Sequence, residues 1–325
     1  MQTPASLAPE QREFVALGGI VTIEARGDRT AAAVDRAEAA IRNLQESLTR
    51  FEPNSELSRL NADRRTTVPA SPIMVRFAGT VSLAGHLSGG LVDSTVIDAV
   101  ERAGYTRSLG KHGVPSQISA LAASASADET RPAAADPRRR WVAVSADADR
   151  GTVTRPPGTR LDSGGTGKGL AADVGAEQLE GLDSWAIGCV GDIRFGGTGG
   201  IEREVLVSSP FPGAGPLDAE PLASLHLPSG AVATSGITRR SWIDPEGKVA
   251  HHLINPATGR PAWTGVVQVT AIAPDGVEAE VRAKAALLSG PDQACGWLVH
   301  GGAVVLENGE IQLVEGDDGV TVRSS

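Results

Sequence analysis

The sequence predicts an α+β fold of mixed, mostly antiparallel sheets with packed helices. Three observations point to it. Helical periodicity is confined to a few stretches, best seen in residues 30–50, where Ala33, Ala37, Ile41, Leu44 and Leu48 recur at three- and four-residue steps. β-Branched runs come in neighbouring pairs, as in 303–307 and 310–314 across Asn308-Gly309, a strong hairpin turn. Strands and helices also follow one another without the βαβ alternation of a doubly wound sheet.

In chain order, residues 15–25 (VALGGIVTIEA) read as a first strand after a tail at 1–14. The helix at 30–50 follows. In 51–61 (FEPNSELSRLN), a Pro-Asn turn precedes Ser55, a natural N-cap for a short helix. Residues 73–87 read as another helix. In 89–105 (GGLVDSTVIDAVERAGY), glycines lead to Asp93, Ser94 and Thr95, simple helix caps on the plainest reading. Residues 112–140 are rich in Ala, Ser and Pro and read as an insertion within one domain spanning 15–325, with a helical turn at 118–125 and a solvated flank at Arg138–Arg140. Strands are expected at 141–145 and 151–155, a helix at 170–182, and a strand–turn–strand over 184–197. Further strands are expected at 202–208, 223–227, 231–236 and 266–272, and a helix at 277–288.

Composition narrows the function classes. A net charge of −9 argues against a general nucleic-acid or anionic-membrane partner. With aromatics at 3%, a base-stacking groove is not expected. Cys189 and Cys295 are too few and too far apart for a disulfide framework or zinc site. No run of apolar residues is long enough to span a membrane, and the N-terminus lacks a leader pattern, so the cytoplasm is the expected compartment.

The chemistry concentrates in 161–173 (LDSGGTGKGLAAD). Glycines feeding a helix N-terminus offer free N–H groups and the positive end of the helix dipole to an anion, and Lys168 adds a charge. A tight turn needing glycines only for geometry is the other reading. The Walker loop is excluded, because its first glycine would fall on Asp162 and Lys168 is followed by Gly169. The dinucleotide fingerprint fits poorly, with its third glycine falling on Leu170. Elsewhere, His251 and His252 precede the rigid turn N-P-x-T-G. If the segment is extended, only one of the two faces a site. Thr234 and Ser235 offer hydroxyls in a turn, and Asp192 follows a glycine. Glu280 and Lys284 stand i, i+4 on the late helix, either as a surface ion pair or aimed at a site where the carboxylate holds a metal.

Six stretches together resemble the bacterial FAD:protein FMN transferases, the ApbE-like flavin transferase family. Residues 51–61 resemble its S-E-L-S-x-L-N segment, and 90–95 its G-x-x-D-P-T, with Ser94 for proline. Residues 162–173 resemble D-x-G-G-x-x-K-G-x-x-x-D, the most specific match. Val190–Ile193 resembles G-G-D-I, Thr234–Gly236 T-S-G, and His252–Pro261 H-I-x-D-P-x-T-G-x-P, with Asn255 for aspartate. The resemblance implies two intertwined subdomains with a cleft between them. It also implies transfer of FMN from FAD to a Thr or Ser hydroxyl of a target protein, with release of AMP. By resemblance Asp162, Gly164, Gly165, Lys168, Asp192, Thr234 and Ser235 line the FAD site, and His252 is the base. Magnesium in this family implies ligands at the Gly167 carbonyl and Glu280. The second helix ligand, a threonine in typical members, is Lys284 here. A protonated lysine cannot ligate a cation. Either Lys284 takes the metal's place, pairing with Glu280 and the phosphates, or the site binds FAD without turnover. An FAD pyrophosphatase is the remaining alternative.

Overall fold

The computed structural model describes residues 9–107, 130–211, 221–244, 246–316 and 321–324. Its centre is an eight-stranded sheet: β1 (Glu10–Ala16), β2 (Gly19–Arg26), β3 (Ser184–Cys189), β4 (Asp192–Gly196), β5 (Gly230–Gly236), β6 (Val266–Ala273), β7 (Gly302–Leu306) and β8 (Ile311–Val314). The spatial order is the chain order, and every neighbour is antiparallel. Residues 27–183 are therefore inserted between two adjacent strands. They carry helices α1 (Thr30–Leu48), α2 (Glu56–Ala62), α3 (Pro72–Leu87), α4 (Ile97–Arg102) and α5 (Gly167–Ala176). A last long helix, α6 (Gly276–Ser289), follows β6.

One face of the sheet takes the helices. Ile41 and Leu44 of α1, Phe77 and Val81 of α3 and Leu170 of α5 pack with Val21, Ile23 and Ile187. Further along, α6 lays Ala283, Ala286 and Leu287 on Val267, Val269 and Ala271. The other face packs Phe195, Val232 and Ile272 against a three-stranded sheet of Arg203–Val207, Ala223–Leu227 and Thr321–Ser324. Covered on both sides, β6 is buried at all eight positions, so its sequence VVQVTAIA loses the strict alternation of a one-sided strand.

Several expectations are corrected. The single strand at 15–25 is a hairpin that turns at Leu17 and Gly18, both at positive φ, and takes in residues 10–14 of the expected tail. The strand at 141–145 is instead a 3-10 turn, Arg140–Ala143, leading into the short strand Ser145–Asp147. Trp141 is pulled inward against the Cβ-free face of Gly85, where its large ring outweighs strand propensity. The helix expected at 170–182 starts three residues earlier and stops at Ala176. Asp93 does not cap α4. Its Oδ1 accepts from the Thr95 N–H and hydroxyl, both at 2.7 Å, closing a local turn. Of the insertion at 112–140, residues 112–129, including the expected helical turn, lie outside the described residues.

Candidate functional site

The resemblance segments, scattered in sequence, clasp one another in space. Ser55 caps α2 by accepting from Ser58 N–H at 3.0 Å, which fixes Asn61 near the helix end. Asn61 then clamps Leu161 from both sides: its Nδ2 donates to the Leu161 carbonyl at 2.8 Å and its Oδ1 accepts from the Leu161 N–H at 2.7 Å. Asp162 N–H donates to the Ser94 carbonyl at 2.8 Å, and Ser163 Oγ to the Leu48 carbonyl at 2.9 Å. Asn61, which the sequence offered only as part of a motif, thus positions the start of the glycine loop. The Asp162 carboxylate faces Arg50 Nε at 3.3 Å. Burial pushes its pKa up, while Arg50 and the Gly164 N–H oppose the shift. Gly164 and Gly165 form the 3-10 turn after it, with Gly165 against Val92.

From Gly167 the chain is helical, and here two helices meet backbone to backbone. A Cβ on Gly169 would lie 2.3 Å from the Gly276 carbonyl oxygen, and one on Gly276 would lie 2.7 Å from the Gly169 carbonyl oxygen. Only glycine permits that approach. The contact lets each helix serve the other. Asp173 of α5 accepts from Gly276 N–H at 2.7 Å and Val277 N–H at 3.0 Å. Glu280 of α6 accepts from Gly169 N–H at 2.8 Å and, through its other oxygen, from Lys284 Nζ at 2.8 Å. The surface ion pair read from the i, i+4 spacing is thus a buried one, with the Glu280 side chain 1% exposed.

Lys168 carries a second ion pair and is not a free charge: Nζ lies 2.6 Å from Asp192 Oδ2. The other Asp192 oxygen accepts from Thr234 N–H at 3.1 Å. The two lysines and two carboxylates feel one another: burial raises the pKa of Asp192 and lowers that of Lys284, each tempered by its partner. Thr234 and Ser235 part company. The Thr234 hydroxyl bonds Thr270 at 2.9 Å, on the same strand face as Val232, toward the three-stranded sheet. Strand alternation puts Ser235 on the face of α6, with Ala231 and Ala233. Only the Thr234 backbone joins the loop side, through its N–H to Asp192.

The histidines also divide. His251 is fully buried, edge-on to Trp263 at 4.5 Å, and its Nδ1 accepts from Leu253 N–H at 3.2 Å. Burial holds its pKa down to about 3. His252 is half-buried, and its Nδ1 lies 3.3 Å from the Arg240 carbonyl. A carbonyl only accepts, so Nδ1 carries the proton and Nε2 keeps its lone pair. Burial, then Arg240, His251 and Lys284, push the His252 pKa well below the ordinary value. Asn255 spends its amide oxygen on backbone N–H groups, of Ala134 at 3.2 Å and Ala257 at 3.1 Å.

The magnesium ligands implied by the resemblance do not fit this donor set. Both Glu280 oxygens are taken, one by an ammonium. Gly167 opens α5, so its carbonyl enters the helical ladder. Among the described residues no three of His, Cys, Asp and Glu converge.

A glycine loop feeding a helix, buried lysine–carboxylate pairs at that helix end and a tautomer-fixed histidine come together on an α+β fold. The chain belongs to the ApbE family, whose sequence profile matches residues 17–306. An FAD:protein FMN transferase of Haemophilus influenzae is 24% identical over 270 residues, 80% of this chain and 73% of that protein. One from Treponema pallidum is 30% identical over 167 residues, and the matched part covers 48% of this chain and 45% of that relative. Among solved structures, the ApbE protein of Thermotoga maritima has a TM-score of 0.72 at 22% identity, covering 95% of this chain and 97% of that one. The apo flavinyl transferase ApbE of Pseudomonas stutzeri gives 0.70 at 18%, covering 99% and 96%. At those identities the likeness speaks for the fold.

Proposed function

We propose that this chain is an FAD:protein FMN transferase, cleaving the FAD pyrophosphate and attaching FMN to a Thr or Ser hydroxyl of a target protein with release of AMP. The observation that carries this reading is the fixed tautomer of His252. An imidazole with Nδ1–H held by the Arg240 carbonyl presents Nε2 as an acceptor for the hydroxyl proton. The acceptor oxygen attacks the FMN phosphorus, the bond to the bridging oxygen breaks, and AMP leaves with that oxygen. The helix end at Gly167 to Gly169 and the ammonium of Lys284 supply positive potential where the phosphates' charge develops. Asp162, Gly164, Gly165 and Lys168 form the wall that holds the dinucleotide, with Ser235 on the α6 side. Among the described residues the carboxylate implied for magnesium, Glu280, is spent on the Gly169 N–H and the Lys284 ammonium.

Among the described residues no helix is long and apolar enough to cross a membrane. The free thiols of Cys189 and Cys295 support placing the chain in a reducing, cytoplasmic compartment. Incubation with FAD and a flavin-accepting protein domain is expected to give a covalently fluorescent band in a denaturing gel and one AMP per flavin attached. FMN and AMP released in water without a labelled acceptor would instead identify a pyrophosphatase. FAD retained uncleaved would identify a flavin-delivery protein.

A further inference from the structure

Aromatic side chains make up 3% of the chain, yet Phe51, Trp242 and the only tyrosine, Tyr105, meet in one line of ring contacts. All three are half-buried. The line starts at Arg50, whose side chain is 7% exposed. Its Nε faces Asp162 Oδ1 at 3.3 Å, and its Nη2 donates to the Tyr105 carbonyl at 2.7 Å. The guanidinium carbon lies over the Phe51 ring at 4.4 Å and over the Tyr105 ring at 4.9 Å. Such cation–π contacts strengthen as the cation loses water. Tyr105 stacks on Trp242, with centroids 5.3 Å apart and planes 22° from parallel. Trp242 Nε1 donates to the Ala103 carbonyl at 2.7 Å. Trp242 belongs to the hairpin of Ser241–Ile243 with Val249–His251, which His252 N–H closes by donating to the Arg240 carbonyl at 3.3 Å.

Helix α4 stands beside this line and touches the same two places. Its Glu101 accepts from Arg160, two residues ahead of Asp162, at 2.7 and 2.9 Å. Its Ala99 and Val100 pack with Ile254, two residues after His252. We propose that Arg50 and Trp242 are positioning residues: through Arg50, Tyr105 and Trp242, the Asp162 carboxylate of the glycine loop and His252 are held at a fixed spacing. A dinucleotide on the loop and an acceptor hydroxyl at the imidazole then stand in line. The inference rests on the FMN-transfer reading for the reaction that this spacing serves. A misplacement of about 1 Å between reacting groups costs about a hundredfold in rate, which is why the spacing matters.

The test uses the full chain, each variant first shown to unfold cooperatively in urea. FAD binding is followed by flavin fluorescence, transfer by steady-state kinetics with a flavin-accepting domain, and the His252 ring nitrogens by 15N NMR. Trp242→Leu is expected to lower kcat about tenfold or more with FAD affinity within about threefold, and Trp242→Phe, which keeps a stacked ring, to recover part of the rate. In the parent, His252 should show the Nδ1–H tautomer alone, and in Trp242→Leu a mixture. Arg50→Met is expected to weaken FAD about tenfold, and Arg50→Lys, which keeps the charge facing Asp162, to recover part of that. The double variant Arg50→Met with Trp242→Leu should lose less in kcat/KM than the product of the two single losses, because one line is being cut twice. Multiplicative losses would overturn the proposal, as would an unchanged His252 tautomer with unchanged kcat in Trp242→Leu. Absence of transfer in the parent would sink the FMN-transfer reading alone, because the tautomer and FAD-affinity readouts still decide whether the line holds Asp162 and His252.

Discussion

Asp173 and Glu280 cap each other's helices. The carboxylate of each reaches across the Gly169–Gly276 crossing and accepts from the first turn of the other's helix. Asp275 takes the next N–H of α6, from Glu278 at 2.8 Å, so the start of that helix is fully satisfied. The glycine loop and the ion-pair helix are thus one unit, and geometry at either end is set by both.

Asp173→Ala should therefore leave two buried N–H groups without acceptors. A loss of about 1–3 kcal/mol is expected in urea unfolding, with Asp173→Asn recovering part of it by keeping one acceptor.

Glu280→Gln removes the counter-charge of a buried ammonium, and breaking such a pair from one side costs about 3–5 kcal/mol. Adding Lys284→Met removes the stranded charge, so the double variant should regain most of that stability. A double-mutant cycle on unfolding free energies measures the coupling, and additivity of the two losses would show that the pair does not interact.

His251 makes stability depend on pH with a definite sign. Its folded pKa, about 3, lies below that of the unfolded imidazole, so the unfolded chain binds the extra proton. The contribution is complete above about pH 6.5 and is lost as pH falls toward 3, at about 1.4 kcal/mol per pH unit. The depressed pKa of His252 adds a slope of the same sign. His251→Phe, which keeps a ring against Trp263, should flatten the acid limb by one proton in unfolding measured from pH 7 to pH 4.

His252→Ala should slow flavin transfer by about a hundredfold or more, the usual share of a general base, with FAD affinity within about threefold. Because burial and its cationic neighbours hold the ring neutral, the parent's rate should show no acid limb near pH 6.5. A rate that halves at that pH would place another group in the role.

Much of this was legible in the residues, and the rest was not for physical reasons. The periodicity of 30–50 gave α1 with its buried Ala33, Ala37, Ile41, Leu44 and Leu48. Asn308-Gly309 gave the β7–β8 hairpin. The glycine loop and the histidine before the N-P-x-T-G turn were visible as local chemistry. The Glu280–Lys284 pair was visible as a spacing, but spacing carries no depth, and burial by α5 and β5 is a tertiary fact. Thr234 and Ser235 read alike as hydroxyls in a turn, whereas strand alternation sends them to opposite faces. Trp141 misled because a strand-like run was drawn into a 3-10 turn by a cleft that Gly85 and Gly90 open.

The insertion of residues 27–183 between β2 and β3 has a kinetic meaning. From β3 onward, neighbouring strands pair across shorter connections, whereas Arg26 must find Ser184 after the whole helical segment has been traversed. Loop closure of that span is the entropically dearest step in assembling the sheet, and such long-range pairings slow folding. The glycine crossing joins α5, inside that span, to α6, outside it, so the pocket is built across the longest-range pairing of the sheet.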